Sequence, residues 1–228
     1  MVVTTFDAVL FDLDGTLCRR TQDIQRLYLA AFERVGVEPF GDPDALWATL
    51  DGPPDHDDRV GYLGVGFARL AAQHDRPDAD PLALAAALTD LIDDSQVALR
   101  SGARAALDCA ATAGSVGLVT NGPERRQRVK LDALGIADRF DACVYAFDRP
   151  RRKPHADPFD RALETLDTPP EEALHVGDSL PHDVAGAQNA GLAAAWLRDE
   201  SEADPGPYDP EYVLTSVADL QSLLACDR

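Results

Sequence analysis

Two aspartates one residue apart, Asp12 and Asp14, close a short apolar run and are followed by Gly15 and Thr16. Val9, Leu10 and Phe11 read as a strand buried on both faces, the kind found inside parallel sheets. Side chains alternate along an extended segment, so both carboxylates can point to one spot past the strand's carboxyl end. Open α/β sheets bind their ligands there. Gly15 permits a sharp turn that leaves backbone N–H groups open to an anion. Two carboxylates this close do not both stay bare and charged. A bound cation or a shared proton relieves them, and oxygen ligands without sulfur or imidazole nearby suit Mg2+. The tetrapeptide taken alone also reads as a plain strand ending in a turn.

More residues of this kind follow other apolar runs. Thr120 and Asn121 end the run that starts at Ser115, and Asp178 and Asp183 come after the run that starts at Ala173. Lys153 precedes Pro154, which biases it toward extended backbone. The elements that must position them alternate. Residues 105–113, 123–134, 158–166, 181–190 and 217–224 carry helical patterns. Residues 115–120, 140–145, 173–176 and 193–197 read as short buried strands, with 212–214 as an edge strand. Residues 18–97 hold helical patterns and no convincing strand. Asp42-Pro43 and Asp80-Pro81 are N-cap and first-turn pairs there, and Gly61, Gly64 and Gly66 weaken the pattern around them. The expected fold is an α/β, Rossmann-like parallel sheet core of three layers. Residues 1–17 and 98–228 form that core, and the helical block 18–97 is inserted into it and packed over the sheet end.

Four short motifs in order at strand ends resemble those of the haloacid dehalogenase superfamily: Asp12-Leu-Asp14-Gly-Thr, the threonine of Thr120-Asn-Gly, the lysine of Arg152-Lys153-Pro, and Gly177-Asp178-Ser179-Leu-Pro-His-Asp183. The resemblance spans the sheet-forming core, and the helical block is similar to that family's small helical cap. It implies Asp12 as a nucleophile that forms an aspartyl-phosphate. It implies Asp14 as the acid for the leaving oxygen and then the base for water. Mg2+ is expected among Asp12, Asp178 and the backbone carbonyl of Asp14, with Asp183 behind them. Lys153, the Thr120 hydroxyl and N–H groups of Gly15, Thr16, Asn121 and Gly122 are expected to hold the phosphoryl group, aided by the helix that starts at Pro123.

Asp14 favours phosphoryl transfer over dehalogenation, because a halide needs no acid to leave. The absence of lysine between Leu17 and Lys130 disfavours Schiff-base chemistry from the insert. The expected activity is a Mg2+-dependent phosphatase of small phosphomonoesters, of the phosphoglycolate, nucleotide or sugar phosphate class. A phosphomutase and a non-catalytic phosphate-binding module are the alternatives. Trp47, His56, Arg59, Tyr62, His74 and Arg76 are candidate substrate selectors in the insert, with Trp47 and Tyr62 also suited to packing.

Composition bounds the partners. The formal net charge is -19, from 40 acidic and 21 basic residues, which disfavours nucleic acid and anionic membrane surfaces. Aspartate dominates the acids, and Lys130 and Lys153 are the only lysines. This bias fits a halophilic protein with an acidic surface, or a GC-rich genome. The partner is expected to be a small phosphorylated metabolite, and the protein a monomer or homodimer. No run is long enough to span a membrane, and residues 1–5 lack a leader pattern. Cys18, Cys109, Cys143 and Cys226 form no CxxC pair. They read as reduced core residues of a cytoplasmic protein.

Overall fold

A computed structural model describes residues 5–52, 54–199 and 204–226. The leader reading at residues 1–4, Pro53 of the loop after Asp51, and residues 200–203 of the polar loop before Tyr212 lie outside them. The chain divides into two compact units, residues 1–20 with 97–228, and residues 21–96.

The first unit is built on a six-stranded parallel sheet. Its strands are β1 (Ala8–Phe11), β4 (Ser115–Thr120), β5 (Ala142–Tyr145), β6 (Ala173–Gly177), β7 (Ala193–Leu197) and β8 (Tyr212–Leu214), in the order β5-β4-β1-β6-β7-β8. β1 is central because it is apolar on both faces. Val9 and Phe11 join the cluster of Leu107, Leu131 and Leu220, from the helices α5 (Ala103–Ala113), α6 (Glu124–Leu134) and α9 (Leu220–Leu223). Ala8 and Leu10 join Phe159, Leu163 and Ala187, from α7 (Asp157–Leu166) and α8 (Ala185–Asn189), on the other face. The three-layer α/β/α arrangement follows from that alternation.

Two short strands, β2 (Cys18–Arg20) and β3 (Val97–Leu99), pair antiparallel in the same unit. The sequence reading placed no strand there. Three residues with two consecutive arginines carry too little periodicity to show a strand. The helix expected over 181–190 instead starts as a π-helical turn, Leu180–Val184, before α8.

The second unit is helical: α1 (Ile24–Val35), α2 (Pro43–Ala48), α3 (Arg59–Gln73) and α4 (Pro81–Leu91). Tyr28, Phe32, Phe67, Leu70, Leu84 and Leu88 form its core. Each helix begins at an aspartate whose carboxylate accepts from first-turn N–H groups: Asp23, Asp42, Asp58 and Asp80. Gly66 of α3 has a packing reason, since a Cβ there would lie 2.7 Å from Leu50 Cδ2 and 3.0 Å from Cδ1 of the buried Leu46. Several candidate selectors have partners inside this unit. The Tyr62 hydroxyl donates to the Gly52 carbonyl, and Arg76 pairs with Asp78 and lies over the Phe40 ring. Trp47 is 40% exposed.

One expectation fails outright. Cys109 and Cys226 form a disulfide that joins α5 to the chain beyond α9, and Cys143 is exposed, so only Cys18 is a free buried thiol. Cys109 and Cys226 are 117 residues apart, and no local spacing pattern announces the pair. No helix among the described residues is long and apolar enough to cross a membrane.

Candidate active site

Asp12 lies one residue past the end of β1, where its backbone N–H donates to the Val176 carbonyl of β6. The chain then turns tightly, and Gly15 takes φ +86°. A Cβ at Gly15 would sit 2.3 Å from Asp178 Oδ2, so glycine admits both the turn and the carboxylate of the neighbouring strand end. Asp178 follows β6. It accepts from the Thr16 hydroxyl at 3.0 Å, and Trp196 Nε1 of β7 holds its carbonyl at 3.0 Å. Asp183 comes from the π-helical turn and receives the Ser179 N–H on Oδ2 at 3.0 Å. Carboxylate oxygens of Asp12, Asp178 and Asp183 all lie within 4.8 Å of one another.

Lys153 enters from the opposite side of β1. Its loop is tied to the end of β4 by Asn121. The Asn121 Nδ2 donates to the Lys153 carbonyl at 3.1 Å, and the Lys153 N–H donates to Asn121 Oδ1 at 2.9 Å. The Lys153–Pro154 peptide is cis. The buried ammonium donates to Asp12 Oδ1 at 2.7 Å, Asp183 Oδ1 at 2.6 Å and the Val119 carbonyl at 2.8 Å.

These contacts divide the carboxylates. Burial, together with the charges of Asp183 and Asp178, pushes Asp12 up to about 8 against the pull of Lys153. Burial and Asp183 also raise Asp178. Asp183 is buried as deeply, but Lys153 and His175 outweigh that and hold it far below the usual carboxylate range. His175 Nε2 lies 3.0 Å from Asp183 Oδ1, and burial lowers the His175 imidazole below its ordinary value. Burial disfavours the charged form of Lys153, yet the two aspartates raise it above the ordinary lysine value. Three carboxylates facing one ammonium leave two negative charges uncompensated when all are ionised. An oxygen-only donor set with that deficit fits a hard divalent cation held by Asp12, Asp178 and Asp183.

Asp14 is turned elsewhere. The buried Lys130 Nζ donates to its Oδ1 at 2.7 Å and its Oδ2 at 2.6 Å. Atoms crowded around the half-exposed Asp14 carboxylate oppose its ionisation, but Lys130 and a hydrogen bond from Gln127 overcome that and lower the pKa. Gln127 Nε2 reaches Asp14 Oδ2 at 2.9 Å and Thr120 Oγ1 at 2.7 Å. The acidic cluster therefore comprises Asp12, Asp178 and Asp183, without the Asp14 carboxylate.

Some expected phosphate donors are already engaged. The Gly15 N–H donates to the Cys18 carbonyl at 2.9 Å, within the turn itself, and the Gly122 N–H points to Thr120 Oγ1 at 3.3 Å. At the start of α6, the Glu124 N–H is taken by Asp148 Oδ2 at 2.7 Å, and Pro123 is the N-cap residue rather than the first helical one. Sequence reasoning missed Lys130, Gln127 and His175. The rarity of lysine was the available signal for Lys130, since the chain's two lysines contact the two aspartates of the first motif.

The family profile of haloacid dehalogenase-like hydrolases matches residues 6–191. The chain belongs to that family. It is accordingly a hydrolase. Over 226 residues it is 28% identical to "Pyrimidine 5'-nucleotidase YjjG" of Escherichia coli (strain K12), covering 96% of this chain and 98% of that protein. It is also 28% identical over 229 residues to "Pyrophosphatase PpaX" of Bacillus cereus (strain B4264), covering 96% of each. Among solved structures, the HAD-hydrolase YfnB from Bacillus subtilis, bound to magnesium, superposes with a TM-score of 0.73 at 23% identity, over 97% of this chain and 99% of that one. That last likeness concerns the fold, the Rossmann-like sheet core of the family.

Proposed function

We propose that the protein is a Mg2+-dependent phosphatase of small phosphomonoesters. One observation carries the reading. Asp12 stands at the end of the central strand, held by Lys153 and flanked by Asp178 and Asp183. A carboxylate so placed is oriented as a nucleophile rather than dispersed in solvent. The nucleotidase and pyrophosphatase names of its relatives fit phosphoryl substrates.

In this reading a carboxylate oxygen of Asp12 attacks phosphorus in line while the bond to the leaving oxygen breaks. Asp14, when protonated, gives that oxygen its proton. Water then attacks the aspartyl-phosphate, Asp14 takes the water's proton, and inorganic phosphate leaves with the Asp12 carboxylate restored. Lys153 stays fixed on Asp12 and Asp183 and keeps a positive charge beside the reacting group. Thr120 Oγ1 accepts from Gln127 and Gly122, which leaves its own proton for a phosphoryl oxygen. Mg2+, when bound by Asp12, Asp178 and Asp183, supplies charge neutralisation for an anionic substrate. The helical unit is assigned the choice of substrate within the phosphoglycolate, nucleotide and sugar phosphate classes.

Hydrolysis of p-nitrophenyl phosphate tests the proposal. Wild type with Mg2+ is expected to turn over, and its activity is expected to vanish on EDTA treatment and return with Mg2+. Asp12→Asn is expected to lose about 10⁴-fold or more. Equal hydrolysis by wild type and variant rejects the role of Asp12.

A further inference from the structure

Lys130 and Gln127 lie one turn apart on α6, and both side chains are buried. Taking an ammonium out of water is costly, and a leucine on this helix face would pack without that cost. The partner does not demand it either, because the Asp14 side chain is 52% exposed and water can hydrate it. What the arrangement achieves is orientation. Lys130 grips both oxygens of the carboxylate, and Gln127 bridges it to the Thr120 hydroxyl, fixing the rotation of Asp14 relative to the phosphate donor of β4. A carboxylate clasped by donors on both oxygens is held in its ionised form, the form in which Asp14 enters dephosphorylation once it has given up its proton.

We infer that Lys130 and Gln127 are positioning residues for the second half of the reaction, holding Asp14 where it takes the proton of the attacking water. This rests on the phosphatase reading above. In that half, the water oxygen bonds to phosphorus, the bond from phosphorus to the Asp12 oxygen breaks, and the water's proton passes to Asp14. Phosphate and the free Asp12 carboxylate result. The first half with an aryl ester depends little on Asp14, because a nitrophenolate leaves without an acid. Loss of Lys130 therefore slows dephosphorylation and spares phosphorylation.

Stopped-flow hydrolysis of p-nitrophenyl phosphate with Mg2+ separates the steps. Lys130→Met is expected to lower kcat roughly 10- to 100-fold while KM falls in step, so that kcat/KM stays within about threefold, with a burst of one p-nitrophenolate per enzyme. Lys130→Gln, which keeps one donor toward Asp14, is expected to fall between wild type and Lys130→Met. In an Asp14→Asn background, Lys130→Met is expected to add nothing. A parallel fall of kcat and kcat/KM without a burst, in whichever Lys130 variant folds, overturns the inference and leaves the phosphatase reading standing. An inert wild type, or an Asp12→Asn variant as active as wild type, overturns the phosphatase reading itself.

Discussion

Lys153 spends all three ammonium hydrogens inside the core, on two carboxylates and a strand carbonyl. Removing one partner from such a buried group is expensive, because the charges left behind have no water to turn to. Lys153→Met strands Asp12 and Asp183 together. It is expected to lower the unfolding free energy by about 3–5 kcal/mol in addition to abolishing turnover. Urea denaturation against wild type measures the first effect. At this scale the sequence was informative where a residue stood at a strand end, as Asp12, Thr120 and Asp178 do. It was silent for residues in the middle of a regular helix or strand. Lys130 and Gln127 sit inside a helix whose charges otherwise face solvent, and His175 sits within a buried strand. Only the packing of α6 and β6 shows which side chains they meet.

Among the elements, the runs of β1, β4, β6 and β7 were legible because strands buried on both faces are mostly apolar, His175 of β6 being the interior exception. The aspartate excess was legible in part as helix caps, at Asp42 and Asp80, each ahead of a proline. The β2–β3 ribbon was not, because its pairing partners stand far apart in the chain. Near the carboxyl end, Ser216 and Asp219 form a capping box over the short turn before α9, with Asp219 accepting from the Ser216 and Thr215 N–H groups. These hydrogen bonds hold the Asp219 carboxyl below its usual range. A carboxylate depressed in the folded state stabilises above its unfolded pKa, and that contribution is lost as pH falls through the folded value. Asp219→Ala is expected to cost about 1 kcal/mol at neutral pH. The gap between variant and wild type is expected to close in acid below the carboxylate range. Chemical denaturation at both pH values checks this.

For the molecule as a whole, the bond from Cys109 to Cys226 closes a loop over a separation of 117 residues. Cross-links of that reach stabilise by restricting the unfolded chain, typically by about 2–4 kcal/mol. Wild type treated with a reductant is expected to unfold at lower urea by that amount, and the Cys109→Ser variant is expected to show no such response. Expectations about the cysteines failed because composition counts thiols without seeing which are adjacent in space. The general α/β plan did not fail, because strand and helix patterns repeat often enough along the chain to outvote any single misread segment.

The near-absence of lysine has a practical corollary. Both lysines are buried, their side chains 5% and 2% exposed for Lys130 and Lys153, and each grips an aspartate of the first motif. Reagents that acylate amines find no accessible lysine on the folded protein. Acylation at Lys130 or Lys153 would therefore register an opening of the catalytic core itself, and succinimidyl labelling followed by peptide mass mapping would serve as a clock for that event.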